Sequence, residues 1–190
     1  MTTSRGAVEG GAPGEDGIDV RVVTRADLLS VFRIEQAVFT QPWPFAAFEN
    51  LLDAEGFFVA TADAAADVGA DGIAAADVLG YVVADVLRDH GRDIGHVKDI
   101  AVRPGGQGHG VGRRLLRRAL RRLATVGASV VKLEVRESNH RAQSLYRSEG
   151  FEPVRRVSQY YGDGEDAFVM AVDLGEWIRT ANRCDAPEDG

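Results

Sequence analysis

Glycines at alternate positions lead into an arginine-rich segment in the middle of the chain, a combination suited to binding an anion. The segment spans residues 100–116, IAVRPGGQGHGVGRRLL, with its spaced glycines at Gly108, Gly110 and Gly112. Glycine lets the backbone approach an anion closely, and the N-terminus of the predicted helix adds about half a positive charge. The two arginines after the last glycine add full charges. The pattern therefore predicts a pyrophosphate-binding turn.

The same segment excludes two other phosphate loops. A Walker A loop requires Gly-Lys-Ser/Thr, and a Rossmann fingerprint requires a glycine-rich turn after the first strand; neither occurs here. An ordinary glycine turn before an amphipathic helix remains the alternative. The helix also carries leucines at helical spacing, so its later arginines are interpreted as a solvent-exposed face, with RNA contact as the minority alternative.

Predicted strands and helices alternate on both sides of this turn. The strands are expected at 18–23, 57–61, 78–88, 94–102, 129–136, 151–157 and 166–174. Helices are expected after a cap near Thr24 or Asp27, and at 45–53, 108–126 and 139–149. With no internal repeat, this order predicts an α/β or α+β sheet covered on both faces.

The length favours one domain with loose ends. Residues 1–17 are rich in Gly, Ala and acids and are expected to be a disordered tail, followed by the domain at 18–174. The stretch 62–77 is predicted to be a loop between strands. Residues 175–190 are assigned to a C-terminal tail, which Trp177 and Ile178 would dock.

Charge and cysteine usage narrow the class of protein. The formal net charge is −7 with a pI near 5.1, and lysine occurs only at Lys98 and Lys132, which argues against a general DNA or RNA binder. The lone Cys184 allows no internal disulfide, and no Cys/His cluster suggests structural zinc. No apolar run is long enough for a membrane span, and the N-terminus lacks a signal-peptide core. A cytoplasmic protein is expected.

The glycine turn with its flanking strand and helix resembles the Q/R-x-x-G-x-G/A motif of the GNAT superfamily, whose members bind acetyl-CoA through it. The segment LEVRESNHRAQSLYRSEGF (133–151) is similar to the second half of that fold, most closely in ribosomal-protein alanine N-acetyltransferases (RimI type) and archaeal and eukaryotic N-terminal acetyltransferases. PWPFAAF, GHVKDIAV and YYGDGEDAFVM agree. The similarity spans 18–174 and implies a mixed, mostly antiparallel sheet of about seven strands with helices on both faces.

The resemblance implies a binding site for acetyl-CoA as co-substrate, with no metal. The strand residues Ile100, Ala101 and Val102 would line the pantetheine arm, and Asn139 would lie near it. The pyrophosphate would be held by the turn and first helical residues, namely Gly108, His109, Gly110, Val111, Gly112 and Arg113.

The resemblance also implies catalytic roles. Glu134 matches the RimI-type general base, Tyr146 the general acid, and His96 a histidine that acts as base in archaeal relatives. Archaeal relatives carry a glutamate about where Gln41 stands, and an amide cannot be a base. Base duty would therefore shift to Glu134 or His96, and the residues leave that choice open.

Aromatic residues would shape the substrate side. Tyr160 and Tyr161 match aromatics that contact the substrate peptide backbone, and Trp43 lies in a proline-bounded loop able to shape a peptide groove.

Each candidate also has a structural interpretation. Glu134 could pair with Lys132 or Arg136, Tyr146 could pack a helix on the sheet, and His96 could be a satisfied core histidine. Trp43 and Phe45 are more typical of core than of a site.

The predicted activity is direct acetyl transfer to the N-terminal α-amine of proteins, ribosomal proteins among them. Neutralising an α-amine at pH 7 costs about 1 kcal/mol, against about 4.6 for lysine, so a modest base suffices. Two alternatives stay open: a GNAT enzyme acting on a small amine, favoured by the acidic 62–77 loop, and a non-catalytic CoA-binding module that contacts RNA or the ribosome. A monomer or weak dimer, with no membrane partner, is expected.

Overall fold

The described part of the chain folds into seven strands and five helices. The computed structural model describes residues 17–62, 77–89 and 92–184. The strands are β1 (Ile18–Val22), β2 (Phe58–Ala62), β3 (Val78–Asp89), β4 (Arg92–Val102), β5 (Val130–Arg136), β6 (Glu152–Val157) and β7 (Ala167–Asp173). The helices are α1 (Leu28–Val38), α2 (Phe45–Asn50), α3 (Val111–Thr125), α4 (His140–Ser148) and α5 (Leu174–Cys184). Short 3-10 turns occupy Arg25–Asp27 and Pro104–Gly106.

All seven strands form one sheet in the order β1-β2-β3-β4-β5-β7-β6. Every neighbouring pair is antiparallel except β4 and β5, which run parallel. The expected mixed, mostly antiparallel sheet with helices on both faces is therefore confirmed.

Apolar residues cover the two faces of the sheet with separate cores. On one face, α3 buries its leucine stripe, including Leu115, Leu116 and Leu120, against the inward residues of the central strands. On the other, α1 and α2 pack Val31 and Phe48 against a second set of strand residues. Because strand side chains alternate between faces, β2, β3 and β4 each contribute to both cores.

Strands β4 and β5 pair over only part of their length. The ladder between them runs from the Ile94–Val130 pair to the Val97–Leu133 pair. Beyond it β4 continues to Val102 and β5 to Arg136, and these two ends do not pair with each other. The two strands therefore separate at a seam in the middle of the sheet, which leaves one edge of β4 free.

A β-bulge interrupts the pairing of β3 with β4. Val83 pairs with Asp99 but Ala84 pairs with Val97, so Lys98 is an extra residue in β4. The extra residue reverses the alternation, with the result that His96 and Asp99, three positions apart, lie on the same face of the sheet.

The start of α3 and the C-terminal segment differ from the predicted elements. Helix α3 begins at Val111 rather than 108, because Gly108 and Gly110 hold positive φ angles of 91° and 76° that no helical residue adopts. Residues 175–184, assigned to a tail, form most of α5, where Trp177 is buried as expected. The segments 1–16, 63–76 and 185–190 lie outside the described residues, as does the side chain of Cys184. None of the described helices is long and apolar enough to cross a membrane.

Candidate functional site

The glycine turn and the start of α3 form one wall of a cavity of about 490 Å³, hereafter the carrier cavity. Gly110 is the N-cap of α3 in the left-handed conformation, and the first helical hydrogen bond runs from Arg114 N–H to Gly110 O at 3.1 Å. The N–H groups of the three residues between them therefore lack a helical acceptor. Such a helix start attracts an anion, as the sequence predicts.

Arg141 adds a positive charge to this cavity that the sequence interpretation did not assign. It lies in the first turn of α4, and its Nη1 donates to Gln107 Oε1 at 2.8 Å. The Gln107 amide in turn donates to Val102 O at 3.0 Å. A Cβ at Gly108 would lie 3.8 Å from Arg141 Nη2, so the guanidinium sits directly over the turn.

Arg113 lines the carrier cavity but is held from behind. Its Nη2 donates to Ser148 Oγ at 3.0 Å, and its Nε lies 3.1 Å from the buried Glu149 Oε1. This second contact is an ion pair without hydrogen-bond geometry, since Glu149 Oε1 has no hydrogen-bond partner among the described residues. Arg113 thus connects α3 to the end of α4 and remains half exposed.

The strand residues predicted to bind the carrier also border this cavity. Ile100 and Val102 share a face with the α3 core, whereas Ala101 is buried in the core on the opposite face. His109 is placed differently: it borders a separate hollow with Ile18 and Leu79 and is not among the residues that line the carrier cavity.

A second cavity of about 560 Å³, hereafter the acceptor cavity, opens on the other side of the seam. Ile100, Asn139 and Tyr146 line both cavities, so the two meet at these residues. Asn139 caps α4, where its Oδ1 accepts from Ala142 N–H at 3.1 Å. The seam between β4 and β5 therefore joins the two chambers.

His96 and Glu134 lie together in the wall of the acceptor cavity. His96 Nε2 is 2.6 Å from Glu134 Oε2, and Lys132 Nζ is 3.2 Å from Glu134 Oε1. Burial by itself raises the pKa of Glu134, but His96 and then Lys132 outweigh it and hold the pKa below its usual value. Glu134 is thus an ion-pair partner of Lys132 and a hydrogen-bond partner of His96 at once.

Tyr146 both packs and faces the cavities. Its ring lies 5.8 Å from that of Phe151, and the residue is 5% exposed. Burial, followed by the charge of Asp99 and the neighbouring Tyr161, raises the pKa of Tyr146, so the phenol keeps its proton at neutral pH. Tyr146 can therefore pack α4 against the core and also present its hydroxyl as a proton donor.

The segment between β6 and β7 closes the outer side of the acceptor cavity. Tyr160 and Tyr161 stack edge to face at 5.1 Å, and the Arg136 guanidinium lies 3.9 Å from the centre of the Tyr161 ring. Burial raises the pKa of Tyr161 to about 12. A Cβ at Gly162 would lie 3.1 Å from the Gln41 amide, so this segment touches the loop between α1 and α2.

Trp43 lines the acceptor cavity and packs into the core beside it. Its ring lies 5.8 Å from that of Phe48, and its backbone N–H donates to Glu35 Oε1 at 2.7 Å. Trp43 therefore belongs partly to the core, as one interpretation expects, and partly to the cavity wall, as the other expects.

Three residues missed by the sequence interpretation border or support this cavity. The Tyr81 hydroxyl contacts Glu35 Oε2 and lies 2.8 Å from Asp99 Oδ2. The available signals were an acid in the apolar strand VKDIAV and an acid on the apolar face of α1. No described group of His, Cys, Asp and Glu side chains is arranged to hold a metal ion.

The chain is similar to known acetyltransferases. The model of the Acetyltransferase (GNAT) family matches residues 28–151. An N-alpha-acetyltransferase of Sulfolobus acidocaldarius is 31% identical over 171 residues, covering 82% of this chain and 92% of that protein. N-alpha-acetyltransferase RimI of Mycobacterium tuberculosis is 35% identical over 163 residues, covering 84% of this chain and 94% of that protein.

A solved structure agrees with these relatives. The ribosomal-protein-S18-alanine N-acetyltransferase from Escherichia coli has a TM-score of 0.66 and 28% sequence identity, covering 83% of this chain and 94% of that one. The likeness therefore extends over almost the whole of each relative.

Proposed function

Because the chain belongs to the acetyltransferase (GNAT) family, we propose that it transfers the acetyl group of acetyl-CoA to the N-terminal α-amine of proteins. The observation that carries this proposal is the meeting of two cavities at Tyr146. The carrier cavity contains the anion-binding start of α3, and the wall of the acceptor cavity contains the Glu134–His96 pair. Reaction between a carrier and an acceptor requires such a junction.

The residues of the carrier cavity fit CoA. Unpaired N–H groups at the start of α3, with Arg113 and Arg141, would hold its pyrophosphate. The free edge of β4 beyond Val97 would offer backbone groups to the amides of the pantetheine arm. When bound, acetyl-CoA supplies an activated thioester.

The Glu134–His96 pair can accept a proton from an α-amine. Since an α-ammonium has a pKa of about 8, whereas lysine has about 10.4, deprotonation needs only a modest base. In the proposed mechanism the Glu134–His96 pair receives a proton from the amine, and the Tyr146 hydroxyl gives one to the departing thiolate.

The acceptor would approach as a peptide. Tyr160, Tyr161 and Trp43 flank the acceptor cavity on two loops that touch each other, which supports binding of an extended chain end between them. Ribosomal proteins are the proposed substrates because one relative is an S18-alanine N-acetyltransferase. A cytoplasmic location and a monomeric or weakly dimeric state remain predictions, as does the expectation that no metal is needed.

A peptide library tests the proposal. Peptides varied at their first two residues are incubated with the protein and acetyl-CoA, and mass spectrometry locates the modified nitrogen. We expect acetylation of α-amines on small first residues such as Ala or Ser. Modification of lysine side chains or small amines alone would exclude N-terminal transfer.

A further inference from the structure

Glu35, Tyr81 and Asp99 form a cluster at the wall of the acceptor cavity, with one residue each on α1, β3 and β4. Glu35 and Asp99 line the cavity, and the fully buried Tyr81 lies between them. The Tyr81 hydroxyl contacts Glu35 and is 2.8 Å from Asp99 Oδ2. None of these three groups takes part in the mechanism proposed above.

Counting protons shows that, with both carboxyl groups ionised, one hydrogen bond of the cluster lacks its hydrogen. A tyrosine hydroxyl has one hydrogen and can donate to only one of its two carboxyl neighbours. The other contact therefore needs a proton on a carboxyl group. Glu35 already accepts a further hydrogen bond from Trp43 N–H at 2.7 Å, so Asp99 is the carboxyl group that takes up the additional proton.

We propose, on the basis of the function proposed above, that Asp99 is a further catalytic residue that takes a proton from the substrate's α-ammonium group. Tyr81 and Glu35 are positioning residues that hold the Asp99 carboxyl in place. The β-bulge at Lys98 makes this role possible, because it turns Asp99 to the same face of the sheet as His96.

Charged or titratable groups from each neighbouring element share the cavity wall with Asp99 or contact it. Tyr81 of β3 contacts Asp99, and the groups in the cavity wall are Glu35 of α1, Glu134 and Arg136 of β5, Tyr146 of α4, Tyr160 and Tyr161 between β6 and β7, and His96 and Lys98 of β4 itself. Lys98 is directed to Asp85, with Nζ 3.1 Å from Oδ2. Asp99 shares the wall of the acceptor cavity with Tyr146, which also lines the carrier cavity.

The surroundings of Asp99 bring its pKa close to that of an α-amine. Burial, followed by the charge of Glu35, raises the pKa of Asp99 to about 8. That value is close to the pKa of an α-ammonium group, so a proton shared between them would leave the amine neutral in a large fraction of the complexes. A carboxyl with the ordinary pKa of about 3.9 would leave it neutral in about one complex in 10⁴.

The proton balance assigns each proton a destination. The α-ammonium gives its first proton to the Asp99 carboxylate and becomes a nucleophilic amine. As the C–N bond forms and the C–S bond breaks, the second proton passes to the Glu134–His96 pair, and Tyr146 protonates the thiolate. The proton held by the Glu134–His96 pair then restores the Tyr146 hydroxyl. The proton on Asp99 leaves to solvent, and it is the one proton that the overall reaction releases.

Two acceptor peptides that differ only in amine basicity test this assignment. One begins with alanine and the other with trifluoroalanine, whose fluorines lower the pKa of the amine. For Asp99→Asn we expect kcat/KM at pH 7 to fall about tenfold with the alanine peptide, the factor by which its ammonium form exceeds the free amine, and less than about twofold with the trifluoroalanine peptide. A purely structural Asp99 would lower both by the same factor, and that result, or no loss at all, overturns the proposal.

A second variant examines the positioning residues. Glu35→Gln removes a charge that raises the Asp99 pKa, so the acidic limb of the pH profile of kcat/KM should move to lower pH. An unmoved limb contradicts the role of the cluster. Asp85→Asn, on the neighbouring strand, is the control with unchanged activity, and calorimetric binding of CoA verifies that each variant is folded. A wild-type protein inactive on both peptides would instead refute the proposed function itself.

Discussion

His96 Nε2 and Glu134 Oε2 lie 2.6 Å apart, so the two residues between which the sequence left the role of base undecided are one hydrogen-bonded pair. The parallel register of β4 and β5 places His96 opposite Lys132, two residues before Glu134. The pairing of the two strands ends at Val97 and Leu133, so both side chains lie beside the seam and line the acceptor cavity.

The pair predicts non-additive kinetics. Glu134→Gln and His96→Gln should each lower kcat/KM by about 10²-fold or more, and the double variant should cost little more than the worse single change, because the two groups act as a unit. Steady-state kinetics of the three variants measure this. Glu137→Gln, in an exposed pair with Arg156, is the control. Strictly additive losses would mean that the two residues act independently.

Tyr146→Phe should reduce kcat and leave carrier binding intact. We expect a loss of about 10²-fold, since only the hydroxyl is removed and the ring keeps its packing on Phe151. Because burial raises the pKa of Tyr146, the wild-type enzyme should show no loss of rate from tyrosine ionisation up to about pH 10. Full activity of the variant would remove Tyr146 from the proposed mechanism.

Gly110→Ala should weaken the binding of acetyl-CoA. A Cβ at this position has open space, so the only obstacle is the φ angle of 76°. Alanine in the left-handed region costs about 1–2 kcal/mol, and relaxation of the turn should lower the affinity about tenfold. Calorimetry provides the measurement, with Gly105→Ala as the matched control in equally open space at a residue that does not line the carrier cavity. Equal effects of both changes would contradict this account.

Asp27 should contribute to acid sensitivity. Burial alone would raise its pKa, but hydrogen bonds from Arg21, at 2.7 Å to each carboxylate oxygen, and from Thr24 lower it to about 2. The folded pKa is below the unfolded value of about 3.9, so this contribution is complete above about pH 4 and is lost as the pH falls towards about 2.

Asp27→Asn should therefore be less stable at pH 7 and show a shallower decrease in the free energy of unfolding between about pH 4 and 2. Urea unfolding at a series of pH values measures it. Glu152→Gln, at an exposed position on β6, should reproduce the wild-type curve. An unchanged acid dependence in Asp27→Asn would assign the sensitivity to other groups.

The local patterns predict most of the fold. Leucines of α3 at helical spacing and apolar alternation in the central strands give elements whose bounds differ from the observed ones by a few residues. The glycine turn is predicted for the same reason, since the positive φ angles of Gly108 and Gly110 follow from residue type. Such signals depend on neighbours in the chain.

The parts that sequence reasoning missed depend on contacts between distant residues. Asp99 and Glu35 are 64 positions apart in the chain and both contact the hydroxyl of Tyr81. Arg141 reaches Gln107 from another helix. The bulge at Lys98 is determined by the register between β3 and β4, which no local composition reveals.

That bulge has a consequence for how the chain tolerates change. Removal of Lys98 would join the two parts of β4 in regular phase, with His96 two positions before Asp99 and both still on the same face of the sheet. A strand that kept Lys98 but lost the bulge would instead place His96 and Asp99 on opposite sides of the sheet. The phase of the strand at this point is therefore under a stricter constraint than its length.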